Sequence, residues 1–179
     1  MQMMRNTVTT LILMSACILQ MGFTGRKKIK YAPSRYYIVV DKSENTLTVY
    51  DQQDWVVQFP CTFGSTDLGD KMTQGDRRTP EGSYHISTKY PHKKWDKFMK
   101  LDYPNATDYA KFNQRKAAGL IPKNAKIGGD IGIHGTWPRE EWAVENLQSW
   151  TLGCVSMKNE DVDELYNMVG PGTLVIIQR

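Results

Sequence analysis

Cys154 follows Gly153 and lies five residues before Asn159, where an acidic, helix-like segment begins. A cysteine beside such a turn can expose its sulfur and receive backbone N–H groups. A thiol with a pKa of about 8.5 is only slightly ionised at neutral pH, so a nucleophilic cysteine needs a base. His85, His92 and His134 are the available imidazoles. His134 closes the alternating segment Ile131-Gly132-Ile133-His134 and is followed by Gly135 and Thr136, which let a neighbour approach closely. His85 reads as a strand residue and His92 as a surface-loop residue. The chemistry on offer is attack by sulfur with an imidazole as general base. It requires Cys154 and His134, twenty residues apart, to meet around an open pocket.

Other readings compete for the same residues. Cys61 sits in the apolar run Phe59-Pro60-Cys61-Thr62-Phe63 and reads as a small core residue. A Cys61–Cys154 disulfide is the alternative. A zinc site would need four ligands, and only His134, Cys154 and His85 offer themselves. Trp137, Trp142 and Trp150 read as core packing or as a lid over the site. Lys93, Lys94, Lys97 and Lys100 read as a solvated surface.

Strands must position these groups. Tyr36–Val40, Thr46–Tyr50 and Trp55–Phe59 are β-branched and aromatic, and the polar segment Asp51–Asp54 makes the last two a hairpin with a longer loop. Residues 64–80 are rich in glycine and read as loop. Ser83–Ser87, Lys97–Tyr103 and Asp130–His134 read as strands, and Ala106–Leu120 as a helix. Val162, Leu165, Tyr166 and Val169 form one apolar stripe on a helix from Glu160 to Val169, with Asn159 as its N-cap and Gly170-Pro171 as its stop. Leu174–Ile177 reads as a strand buried on both faces.

The chain has 179 residues, 40% hydrophobic and 23% charged, which fits one folded domain with a small appendage. A mean hydropathy of −0.51 excludes a multi-span membrane protein. The net charge of +4 is too small and too dispersed for nucleic acid, but suits loose attraction to an acidic polymer such as a cell wall. Arg5, the apolar run Leu11–Met14 and the small residues Ser15 and Ala16 before Cys17 form a secretory signal resembling a lipobox. The expected organisation is a signal peptide over 1–16, a lipid on Cys17, a tether over 17–35 and the folded domain over 36–179. An ordinary signal peptide cut further on and an uncleaved anchor are the alternatives. Arg26, Lys27, Lys28 and Lys30 argue against the anchor, since positive charge tends to stay cytoplasmic.

His134-Gly135 followed by Thr151-Leu152-Gly153-Cys154 resembles, in order and spacing, the signature of the L,D-transpeptidases with a YkuD-type catalytic domain. Gly75-Asp76-Arg77-Arg78-Thr79-Pro80-Glu81-Gly82 and the run from Asn159 through Gly172-Thr173-Leu174-Val175 extend the resemblance over about residues 36 to 178. It implies a mainly β fold: a mixed sheet or sandwich core with one C-terminal helix packed near Cys154. It implies Cys154 as nucleophile, His134 as base and the Gly135 carbonyl as orienting group. The N–H groups of Gly153 and Cys154 would form an oxyanion hole, with Thr136, Thr151 and Ser156 as substrate contacts and no metal or cofactor. The implied activity is thioester formation on a peptidoglycan tetrapeptide stem, release of D-alanine and transfer to an amine. A hydrolase of the same fold and a non-catalytic wall-binding lipoprotein are the alternatives. The implied setting is the periplasm or cell envelope, as a monomer held to a membrane by an N-terminal lipid, with no nucleic-acid partner. Two positions depart from the family: Leu152 where many members carry His, and Ser156 where many carry Arg. Leu101-Asp102-Tyr103-Pro104-Asn105, with Asp108, is similar to a subgroup that includes hydrolases.

Overall fold

The computed structural model describes residues 35–52 and 54–179. The expected signal peptide, the expected lipid site Cys17 and nearly all of the expected tether lie outside the described residues.

Strands β1 (Tyr36–Asp41), β2 (Thr46–Asp51) and β3 (Asp54–Pro60) form a meander. The β2–β3 connection is tighter than the expected long loop, because pairing continues to Asp51 opposite Asp54. β4 (Gly82–His92) and β5 (Asp96–Leu101) precede α1 (Ala106–Ala117). Then come β6 (Gly132–His134), α2 (Trp142–Glu145), β7 (Val155–Ser156), α3 (Asn159–Met168) and β8 (Leu174–Gln178). The strands join in one sheet, in the order β3-β2-β1-β8-β4-β5-β6-β7. It is mixed: β1–β8 and β6–β7 run parallel and the other neighbours antiparallel.

β4 is more than twice as long as the Ser83–Ser87 segment expected from sequence, and it joins the two halves of the sheet. Its first residues pair with β8 and those from Ile86 onward with β5, with a register shift between Ile86 and Thr88. Such a shift bends a strand, and here it lets one sheet curl around its core. Apolar residues from all eight strands, with Val162 and Leu165 of α3, form that core.

α1 starts at a reciprocal cap: the Asn105 side chain accepts from the N–H groups of Thr107 and Asp108, while Asp108 accepts from the Asn105 N–H. At α3 the expected cap is corrected. The N-cap position is Lys158, without a side-chain cap bond, and Asn159 is used elsewhere. β8 alternates between buried and part-exposed residues rather than being buried on both faces, since its neighbours cover only one side.

The 64–81 loop is held against the sheet by a buried cation. Lys42, 1% exposed, donates through Nζ to Leu68 O at 2.6 Å and to Gly69 O and Thr79 O at 3.3 Å, and pairs with Glu81 at 2.7 Å. Lys42→Met is expected to destabilise the fold by about 3 kcal/mol, because three carbonyls and a carboxylate lose their partner together. Urea denaturation checks this; a loss below about 1 kcal/mol would mean that water replaces the ammonium.

Candidate active site

The site lies where β5, β6 and β7 meet. β6 and β7 pair with Ile133 opposite Val155 and His134 opposite Ser156. Cys154 immediately precedes β7, so this pairing brings its backbone close to the end of β6 that carries His134. Both residues line one pocket of about 690 Å³ with Lys71, Trp95, Trp150 and Leu152. They are well sheltered in its wall: His134 is 1% exposed and Cys154 9%. Cys61 is fully buried, and both it and Cys154 are free thiols, so the disulfide reading is set aside.

The imidazole is fixed on several sides. Its Nδ1 lies 2.7 Å from the carbonyl oxygen of Gly135. A carbonyl only accepts, so Nδ1 carries the proton and Nε2 keeps the lone pair. The Trp95 ring stacks on His134 at 4.6 Å, Phe98 lies parallel at 5.7 Å, and Trp150 meets it edge-on at 5.4 Å. Burial holds the imidazole near a pKa of 4, against the opposing pull of the Gly135 carbonyl. In the unfolded chain the same group titrates near about 6.5. Between those values the unfolded chain takes up a proton that the folded protein refuses, so stability falls as pH drops from about 6.5 to about 4. The loss is about 3 kcal/mol. Urea midpoints at pH 7, 5 and 4 check this, and His134→Gln should flatten that part of the slope.

The thiol is also kept neutral. Its Sγ contacts Asp130 O at 3.4 Å. Burial pushes its pKa up to about 11, opposed by the Gly132 N–H and by Lys71. Gly64 makes room for the cysteine turn. A Cβ there would lie 2.8 Å from Gly153 N and would also strike the carbonyls of Arg77 and Thr151.

The structure redistributes several expected roles. The Gly153 N–H donates to Thr151 Oγ1 at 3.2 Å, and the Thr151 hydroxyl donates to Cys154 O at 2.8 Å. Thr151 thus braces the turn, although it also lines the pocket. Thr136 and Ser156, expected as substrate contacts, are 1% and 0% exposed and are not among the residues that line the pocket. The Thr136 N–H donates to Asn159 Oδ1 at 2.8 Å, and this is the use to which Asn159 is put. Ser156 Oγ approaches Gly135 O at 3.4 Å, behind the carbonyl that fixes His134.

Trp137 and Trp150 pack together at 4.2 Å and both line the pocket, as a wall would, whereas Trp142 does not line it. Lys100 lines it too, bonded to Asp130 at 2.6 Å. His92 is no plain surface residue: it lines the pocket and stacks on Trp95 at 4.5 Å. Trp95, Phe98 and Lys71 were not singled out from sequence, and nothing local marks them. Among the described residues, no three His, Cys, Asp or Glu side chains are grouped so as to hold a metal.

A sheltered thiol and an oriented imidazole in one pocket of a curled mixed sheet make a candidate cysteine–histidine site. The family model for the YkuD L,D-transpeptidase catalytic domain matches residues 35–177, and the chain belongs to that family. Among its relatives is the protein named "Putative L,D-transpeptidase YafK" of Escherichia coli K12, 28% identical over 151 residues, covering 81% of this chain and 51% of that one. Another is "Putative L,D-transpeptidase YqjB" of Bacillus subtilis 168, 28% identical over 149 residues, covering 81% and 72%. The chain thus spans about half the length of the first relative. In fold it is similar to the helical cell shape determining protein Pgp2 of Campylobacter jejuni, with a TM-score of 0.63, 19% identity and coverage of 84% and 49%. It is also similar to L,D-transpeptidase 3 of Mycobacterium tuberculosis, with a TM-score of 0.53, 17% identity and coverage of 81% and 61%. At these identities the likeness to the two structures is one of fold.

Proposed function

We propose that the chain is a peptidoglycan L,D-transpeptidase acting through a thioester on Cys154. One arrangement carries the reading: His134, its Nδ1 proton committed to the Gly135 carbonyl, lines the same pocket as Cys154. The pair rests uncharged, since burial opposes both the imidazolium and the thiolate. His134 Nε2 takes the thiol proton as sulfur attacks the carbonyl of the third stem residue. The oxyanion forms beside the N–H of Cys154, because that of Gly153 is engaged by Thr151. The imidazolium then gives its proton to the departing amine of D-alanine, leaving the thioester. An amine from a second stem, deprotonated by the same Nε2, attacks the thioester and restores the thiol.

The test is incubation of the full chain with a tetrapeptide-stem muropeptide. The intact mass should rise by the donor less D-alanine, and proteolysis should place the adduct on the Cys154 peptide. A cross-linked product supports transfer. A free tripeptide stem would replace transfer with hydrolysis on the same nucleophile. An unaltered muropeptide and no adduct would overturn the reading.

A further inference from the structure

Lys71 is a buried charge that the mechanism above does not use. Its side chain is 2% exposed, and the residue lines the same pocket as Cys154. Its Nζ donates to Asp76 Oδ1 at 2.7 Å and to Arg78 O at 3.3 Å. A methyl group placed on Gly153 would lie 3.5 Å from this nitrogen, so the ammonium sits against the residue that precedes Cys154. The loop has other supports. Asp76 already accepts the N–H groups of Met72 at 2.7 Å and of Thr73 and Arg78 at 3.0 Å. Burying an ammonium is costly, and a well-packed neutral side chain at such a place is often as stable or more so. The charge itself therefore calls for a role.

The sulfur is the group it can serve. Attack on a carbonyl requires negative charge on Cys154 in a wall that disfavours it. The other charged neighbour that acts on the thiol, Asp130, opposes ionisation, and its carboxylate is bonded to Lys100 at 2.6 Å. His134 is neutral, and His92 stacks on Trp95, which in turn stacks on His134. The Lys71 ammonium is already held by Asp76 and the Arg78 carbonyl.

We infer that Lys71, held by Asp76 against Gly153, is a positioning residue for Cys154: its fixed positive charge favours the thiolate that forms as the sulfur attacks. The inference rests on reading Cys154 as the nucleophile, but its test does not need turnover. Alkylation of Cys154 by iodoacetamide is followed from pH 7 to 11 in the full chain, with peptide mass spectrometry resolving Cys154 from Cys17 and Cys61. Since the thiolate is the reactive form, Lys71→Gln should slow alkylation at pH 8 by about threefold or more. Lys71→Met, which also removes the hydrogen bonds, should do the same. Lys71→Arg should stay within about twofold of the parent protein, because it keeps the charge. A folded Lys71→Gln or Lys71→Met protein with the parental profile overturns the inference. So does a Lys71→Arg profile as slow as that of Lys71→Gln. Failure of both neutral variants to fold, with Lys71→Arg folded, also overturns it by assigning the lysine to structure. If the parent protein forms no muropeptide adduct while the alkylation profiles differ as stated, only the transpeptidase reading fails.

Discussion

Cys154→Ala is expected to abolish the covalent muropeptide adduct and to lower turnover by at least about 10⁴-fold, as loss of a nucleophile does in other acyl-transfer enzymes. The substitution tests chemistry more than folding. The sulfur's polar contacts are to backbone alone, 3.4 Å to Asp130 O and with the Gly132 N–H, and the turn is braced by the Thr151 bonds to Gly153 and Cys154, which do not involve it. The variant should therefore keep the parental circular dichroism and melt within a few degrees of the parent. Substrate should still bind, so a labelled muropeptide should be retained without reacting. Product formation is checked by chromatography and mass. Turnover that survives in a folded Cys154→Ala protein would remove Cys154 from the mechanism and return Cys61 and Cys17 to consideration.

His134→Ala should slow acylation of Cys154 by at least about 100-fold, the usual consequence of losing a general base. The physical reason is the state of the thiol. With its pKa pushed up to about 11 by burial, the sulfur has too little thiolate near neutrality to attack unaided. The loss should shrink as pH rises toward 11, because hydroxide then does the work of the missing imidazole. Removing the ring also opens a space among Trp95, Phe98 and Trp150, so His134→Gln serves as the better-filled companion. Both variants should show the same slow acylation and the same recovery at high pH. Single-turnover mass measurements read the rate directly. A fall of only a few-fold in either would mean that another group takes the proton.

The legible parts of this protein are those set by neighbours in the chain. Runs of β-branched and aromatic residues bounded by polar turns place β1, β2 and β3 within a residue or so, and the apolar stripe with its acidic first turn places α3. The order His-Gly, then Thr-x-Gly-Cys, was enough to find the two groups that share the pocket. That order is local, and so is the bond from His134 to the carbonyl of the next residue.

Contacts between distant residues were settled only by folding. Asn159 has the composition of a helix cap, yet its side chain holds the Thr136 N–H, 23 residues earlier. Ser156 resembles a substrate contact in sequence, but folding buries it completely, with its hydroxyl against the Gly135 carbonyl. Trp95 and Lys71 reach the site because a strand bend at Ile86 and a loop pinned by Lys42 bring them there. The sequence by itself determined the strand-rich class and which sulfur and imidazole were candidates, since backbone propensity and motif spacing act over a few residues. The tertiary structure decided which side chains face the pocket, which are buried behind it, and how far burial moves the pKa values of the pair. Those outcomes depend on desolvation by groups remote in the chain, which a local pattern does not encode.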